Sequence, residues 1–292
     1  MNRDGLFEGW LRSTSALQYF DRRLAIRRMT DPPLTRFLYK YRALDPESDE
    51  SIQKLRTLLV HSKLWLSAPS DFNDPFDMSA RIVVSGGKKE LQKRITALGQ
   101  SRGVGRKEIK AHAKAVAKLT KARIERDLSA VYETSKNMMG VYCFAGDPRD
   151  ILMWSHYASE HKGLCIQFER ARDFMLLSGA LLVDYSDEYP VIDWVSGFPE
   201  SLTKVLLQKS LHWKYEKEQR LIKPEISRTL LPFKPDAITA IIFGCRSTDR
   251  TREAVQALLQ ERKVAGLPAI ALFVAKKHQS RYALTVCRAL AS

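Results

Sequence analysis

MGVYCFA at 139–145, ILMWSHYAS at 151–159 and GLCIQFE at 163–169 succeed one another with only short polar links. The outer two are apolar runs of strand length rich in Val, Tyr, Phe and Ile, while the middle one carries apolar residues at helical spacing. Strand, helix, strand is therefore the predicted order. Moving outward, FLYKYR at 37–42 alternates aromatic with basic residues and KLWLS at 63–67 has strand character. Asp49 or Ser51 is placed to cap a helix carrying Ile52, Leu55, Leu58 and Leu59. LLVDYS at 181–186 is a further predicted strand, VLLQKSLHWK at 205–214 has helical spacing, and EQRLIKP follows as a strand. The end repeats a βα rhythm: AITAIIFG at 237–244, a helix near 249–262, then AIALFVA and YALTVCRAL. The predicted class is α+β, a mixed β-sheet core with flanking helices, spanning residues 37–292 as one domain. Residues 1–36 are arginine-rich, with apolar residues at helical spacing, and predict a helical N-terminal layer closed by Asp31-Pro32-Pro33.

The segment 86–136 has a different texture. Gly86-Gly87 opens a stretch dense in Lys, Arg and Ala, and a continuous helix would align Arg106, Lys110, Lys114, Lys118 and Lys121 in one stripe, with Ile109, Ala113, Val116, Ile124, Leu128 and Val131 on its buried face. Such a basic helical insertion is the predicted nucleic-acid contact, and the same pattern also describes an ordinary amphipathic helix with a solvated side. Whole-chain charge agrees with an anionic partner: 292 residues carry a formal net charge of +15. No apolar run reaches the eighteen residues of a membrane span and the N-terminus lacks a secretory pattern, so a cytoplasmic protein without a membrane partner is expected. Cys143, Cys165, Cys245 and Cys287 are widely spaced and predict free thiols rather than a disulfide framework.

Three blocks hold more polar and aromatic chemistry than packing needs: SDFNDPFD at 70–77, MWSHYASEHKG at 153–163 and HWKYEKEQR at 212–220. The first offers Asn73, Asp74 and Asp77 around Pro75, with Phe72 and Phe76 as anchors. In the second, Trp154, Tyr157 and His161 are spaced three and four apart, as one side of a helix requires. His156 and His161, five apart, do not share a helical face, and no metal set is predicted. In the third, Glu216 and Glu218 share one face if the segment is a strand, where like charges need a cation or a hydroxyl-rich ligand between them. If it is helical, Glu216 pairs with Arg220, and Lys214 and Lys217 stand near. FGCRST at 243–248 is either a helix cap or a phosphate site, and it lacks the P-loop spacing. Together the blocks predict one composite pocket for a ligand with a sugar and a flat ring.

LYKYR, KLWLSAPSDFNDPFD, VYCFAGDPRDILMWSHYASEHKGLCIQFE and WKYEKEQRL, in that order, resemble the bacterial domain of unknown function 2971 family, over about residues 37–244. The positions carrying the resemblance are Lys40, Tyr41, Asn73, Asp74, Pro75, Phe76, Trp154, Tyr157, His161, Gly163, Lys209, Trp213, Glu216, Glu218 and Arg220. A second resemblance is to ADP-ribosyltransferase-like folds, whose order of an early Arg or His, a middle Tyr or Ser and a late Q/E-x-E is matched by Tyr41 or Arg42, Ser67 or Tyr157, and Glu216-Lys217-Glu218. That resemblance implies NAD as substrate, with Glu218, Glu216, Tyr41 and Arg42 catalytic and Asn73, Asp74, Ser67, Trp154, Tyr157, His161 and Arg220 binding it. The late glutamate would hold the nicotinamide-ribose hydroxyl and favour an oxocarbenium-like transition state. The expected function is an NAD-consuming ADP-ribosyltransferase-like enzyme acting on nucleic acid or a nucleic-acid-bound protein in a toxin or phage-defence role. Two alternatives stand beside it: a non-catalytic nucleic-acid-binding or nucleotide-sensing regulator, and a metal-dependent nuclease using Asp74, Asp77 and the glutamate pair.

Overall fold

The computed structural model describes residues 35–196 and 204–289; the predicted N-terminal helical layer lies almost wholly outside them. The strands are β1 Phe37–Arg42, β2 Lys63–Leu66, β3 Arg81–Val83, β4 Gly140–Phe144, β5 Leu164–Glu169, β6 Ala180–Leu182 and β7 Asp184–Ser186. Then follow β8 Val191–Asp193, β9 Gln208–Ser210, β10 Gln219–Lys223, β11 Thr229–Pro232, β12 Ile238–Phe243, β13 Ala271–Lys277 and β14 Leu284–Arg288. The helices are α1 Asp49–Leu59, α2 Lys88–Ser101, α3 Arg106–Val116, α4 Lys121–Lys136, α5 Ile151–Tyr157, α6 Phe174–Leu177 and α7 Asp249–Val264.

A five-stranded mixed sheet runs β1-β5-β12-β13-β14, parallel only between β12 and β13, which α7 connects. Its core face carries Leu38, Leu164, Ile166, Phe168, Ile241 and Phe243, packed with Leu55, Leu58 and Leu59 of α1 and Val255 and Leu258 of α7. The two helices are tied by Arg56 and Glu261, whose Nε–Oε2 distance is 2.8 Å. The class is α+β, as the sequence predicts. A three-stranded sheet β4-β10-β6 joins the main sheet at one corner, where Tyr39 exchanges backbone hydrogen bonds with Ala145. Further along the same edge of β4, Ser67 does the same with Val141, bringing in the β2–β11 pair. β1 and β2 thus meet one edge of β4 at its two ends while β10 takes the other edge, and the cavity described below opens along β4.

Several local expectations are corrected. Ser48, not Asp49 or Ser51, caps α1, its hydroxyl accepting from the Ser51 amide. LLVDYS splits into β6 and β7, which belong to different sheets. The 205–214 segment is not a continuous helix: it forms β9, which pairs in parallel with β7, and then a 3₁₀ helix over Leu211–Glu216. The segment 86–136 is three helices rather than one. Thr120 caps α4 and breaks the stripe, so Arg106, Lys110 and Lys114 lie on α3, Lys118 lies in the connecting turn and Lys121 starts α4. All five side chains are exposed. Ile109, Val116, Ile124 and Leu128 are buried as expected, and Val84, Leu91, Ile95 and Trp194 complete a cluster local to these helices and β3–β8. Thr248 caps α7 through the Thr251 amide, which accounts for FGCRST as a helix start.

Glycine is required where β1, α5 and β12 converge. A methyl group on Gly163 would fall on the Arg42 carbonyl oxygen and against that of Ala158. Gly163→Ala is therefore expected to lower the unfolding free energy by about 1 to 3 kcal/mol, the usual cost of overpacking, measured by urea denaturation at constant m-value.

Candidate functional site

Five buried ionisable side chains form the floor of the site. Lys209, central in β9, directs its Nζ to Glu216 Oε2 at 2.5 Å, Glu218 Oε2 at 3.1 Å and Asp77 Oδ2 at 3.7 Å. Arg220, on β10, holds Asp77 through Nη2 at 2.7 Å and Glu218 through Nε at 2.7 Å, and donates Nη1 to the Leu206 carbonyl at 3.1 Å. Glu216 and Glu218 converge without being a strand pair: Glu216 ends the 3₁₀ helix, Lys217 takes φ 47° in the left-handed region, and Glu218 leads into β10. The cation expected between the two glutamates is Lys209, and Arg220 pairs with Glu218 and Asp77 rather than with Glu216. Lys214 takes no part in the cluster, and Lys217 reaches Asp147 instead.

Burial alone would raise the Glu218 carboxyl, but Arg220 and Lys209 override it and hold the group well below the usual carboxylate range. Burial likewise opposes the Lys209 ammonium, which Glu218, Glu216 and Asp77 keep charged. Burial pushes Glu216 up, against the pull of Lys209. Glu216 is also the member with an oxygen directed elsewhere: Oε1 accepts from the Tyr157 hydroxyl at 2.7 Å, and Asn73 Nδ2 donates to that hydroxyl at 3.4 Å.

Above this floor lies a cavity of about 780 Å³, bordered by β1, β4, α1, α5 and the loop after β2. Its volume suits a nucleotide-sized ligand. Glu216, Tyr157, Asn73 and His156 stand at one side, and Lys40, Arg42, Tyr142 and Lys63 also line it. The strand pleat separates the first-strand candidates. Lys40 and Arg42 share one face of β1, whereas Tyr41 is buried on the other against Trp154, with its hydroxyl donating to the Asp147 carbonyl at 2.7 Å. Lys40 Nζ donates to the Cys143 carbonyl at 3.0 Å and lies 4.7 Å from the Tyr142 ring centre. A second cavity of about 450 Å³ shares Asn73 and Lys209 as a wall and is edged by Phe76, Tyr189 and Trp213.

Trp154 and His161 do not offer stacking surface on a helix. Trp154 is fully buried with Nε1 donating to the Pro148 carbonyl, and α5 ends at Tyr157. Ser159, Glu160 and His161 all take positive φ, which folds the His161 ring flat behind Trp154 at 6.3 Å. Asp74 serves the turn, accepting the Phe76 amide at 2.9 Å. Phe72 is partly buried, while Phe76 is 63% exposed and anchors nothing. Ser67 borders the cavity. Of the carboxylates considered for a nuclease, Asp77, Glu216 and Glu218 are held by Lys209 and Arg220, and among the described residues no cluster of three or more His, Cys, Asp or Glu is arranged for a metal ion. Tyr142 and the bridging role of Lys209 were not read from the sequence. The alternation in LYKYR and VYCF carries a signal for the facing of Lys40, Arg42 and Tyr142, but nothing local signals the Lys209 cluster.

Fold and site together define an α+β protein with an open cavity of mixed polar and apolar lining over a buried charge cluster. Residues 153–221 match the family described as protein of unknown function (DUF2971), so that resemblance is shown over α5 to β10. No curated protein and no solved structure matches the chain.

The Glu218 shift fixes a pH dependence. A carboxyl lowered on folding stabilises the fold above its unfolded pKa, about 4.3, and that contribution is lost as pH falls below it. Unfolding free energy is expected to decline from pH 5 to pH 2, with a shallower decline in Glu218→Gln, measured by urea denaturation across that range.

Proposed function

We propose that the cavity takes NAD and that the protein cleaves its N-glycosidic bond, as a transferase or glycohydrolase of the ADP-ribosyl class. The observation that carries this reading is Glu216: a buried carboxyl at the cavity wall, steadied by Lys209 on one oxygen and on the other by the Tyr157 hydroxyl, to which Asn73 donates in turn. A carboxylate held so can accept a ribose hydroxyl and stabilise positive charge developing at C1′. The C1′–N bond breaks with its electron pair leaving on nicotinamide, a nucleophile bonds to C1′, and its proton passes to Glu216 or solvent. The roles assigned to the glutamate pair are thereby redistributed. Glu218, 2% exposed and engaged by Arg220 and Lys209, supports Lys209, and Glu216 faces the ligand. Arg42 replaces Tyr41 as the first-strand residue. The test is nicotinamide release from NAD, alone and with DNA, RNA or lysate. Glu216→Gln is expected to reduce release by about 10²- to 10⁴-fold, the range for loss of a positioned carboxyl. No release under any condition would remove the reading.

A second reading rests on the exposure of Arg106, Lys110, Lys114, Lys118 and Lys121 along two consecutive helices. As a nucleic-acid contact this surface requires log K to fall steeply with log salt. Neutralising Lys110, Lys114 and Lys118 is expected to flatten the slope by up to about 3, measured by fluorescence anisotropy with labelled duplex and single strands. An unchanged slope would take the surface out of the argument. The toxin or phage-defence role belongs to either reading and follows from neither.

A further inference from the structure

Buried donors without acceptors are rare in folded proteins, because each forgoes a hydrogen bond to water and gains none in return. Where β1 and β4 line the cavity, such groups gather. The Tyr142 hydroxyl has no hydrogen-bond partner although its residue is 6% exposed. Arg42 Nε is likewise buried and unpartnered. The Lys40 ammonium makes direct contact with the Cys143 carbonyl and the Tyr142 ring and feels the charges of Glu218 and Glu216 at longer range, but among the described residues no carboxylate forms an ion pair with Lys40 or Arg42. All three residues border the same cavity, and Lys63 and Lys54 border it too.

The chemistry of this cluster is set by what it lacks. Burial lowers the proton affinity of Lys40 and Arg42 and raises the Tyr142 hydroxyl, so the phenol stays a neutral donor. Two cations and a phenol facing one space require a compact anion with several acceptor oxygens. Carboxylates of the protein pair directly with Lys209 and Arg220 below, whereas here Glu218 and Glu216 act on Lys40 only at longer range and none bonds to it. The contrast between a fully paired floor and an unpaired flank assigns the flank to something that arrives from outside.

We infer that Lys40, Arg42 and Tyr142 form an oxyanion subsite that binds the phosphate or pyrophosphate group of a small nucleotide. The inference deepens the NAD reading by placing the phosphates against β1 and β4, and it rests on that reading only for the identity of the nucleotide. Guanidinium and ammonium groups bind phosphate oxygens by charge-assisted hydrogen bonds, and where the groups are shielded from water these are stronger than at the surface.

The test is calorimetric titration of the full chain with inorganic pyrophosphate, ADP-ribose and adenosine. Pyrophosphate and ADP-ribose are expected to bind the wild type, with Kd weakened at least tenfold in Lys40→Met and in Arg42→Gln and severalfold in Tyr142→Phe, while adenosine is unaffected by the substitutions. Tyr142→Phe removes a single oxygen and leaves the ring in the core, so it remains informative if the other variants fail to fold. Lys89→Met, outside the cavity, controls for general attraction to a chain of net charge +15 and is expected to bind as the wild type does. Pyrophosphate that does not bind, binds all three cavity variants as tightly as wild type, or is lost equally in Lys89→Met would overturn the subsite. Pyrophosphate binding with the expected losses, but no nicotinamide release, would leave the subsite standing and remove NAD as substrate.

Discussion

Two cations and three carboxylates share a volume from which water is largely excluded, and they come from distant parts of the chain. Asp77 lies beyond β2, Lys209 in β9, and Glu216, Glu218 and Arg220 around the turn into β10. Isolated, any one of these charges would be costly to bury; together, with Leu206 and Tyr157 completing their hydrogen bonds, they are mutually satisfied. The cluster therefore acts as a register device. It joins β9, β10 and the 70–77 loop through direct ion pairs, and the left-handed Lys217 turns Glu216 and Glu218 towards the same ammonium.

The cavity above inherits its polarity from this arrangement. The two cations of the floor offset two of its three carboxylates, so it presents at most a single negative charge to a ligand, and the recognition groups are those at the walls: Glu216 with Tyr157 and Asn73, and Lys40 with Arg42 and Tyr142. The same strand pleat that sends Tyr41 into the core against Trp154 sends Lys40 and Arg42 to the other side of β1. Wall chemistry is thus decided by a two-residue period, which is why adjacent residues of one strand differ so completely in role.

What the sequence disclosed follows the range of the forces involved. The strands β4, β5 and β12 were legible as apolar runs and β1 by its alternation of aromatic and basic residues, and α7 because Asp249 and its cap precede a periodic run. The 205–214 segment misled because Val205, Leu206 and Leu207 are compatible with a helix, while pairing of Lys209 beside Tyr185 across β7 and β9 is a long-range choice. The basic stripe misled for a local reason: Thr120 offers a cap that ends one helix and begins another. Glu216 and Glu218 were found by composition, Asn73 and Tyr157 by their blocks, and Arg42 by position. The pairing of Arg220 with Asp77 spans residues that no local window contains.

The three left-handed residues Ser159, Glu160 and His161 close α5 from behind. The His161 amide donates to the Trp154 carbonyl at 3.1 Å, and its own carbonyl accepts from the Arg246 amide at 3.0 Å. Gly163 and Gly244 let the neighbouring backbones come into contact at that point. The wall that carries His156 and Tyr157 is consequently braced on its hidden side by main chain rather than by mobile side chains. A ligand entering the cavity meets groups whose rotational freedom was surrendered during folding, so the entropy of arranging that wall is not charged against its affinity.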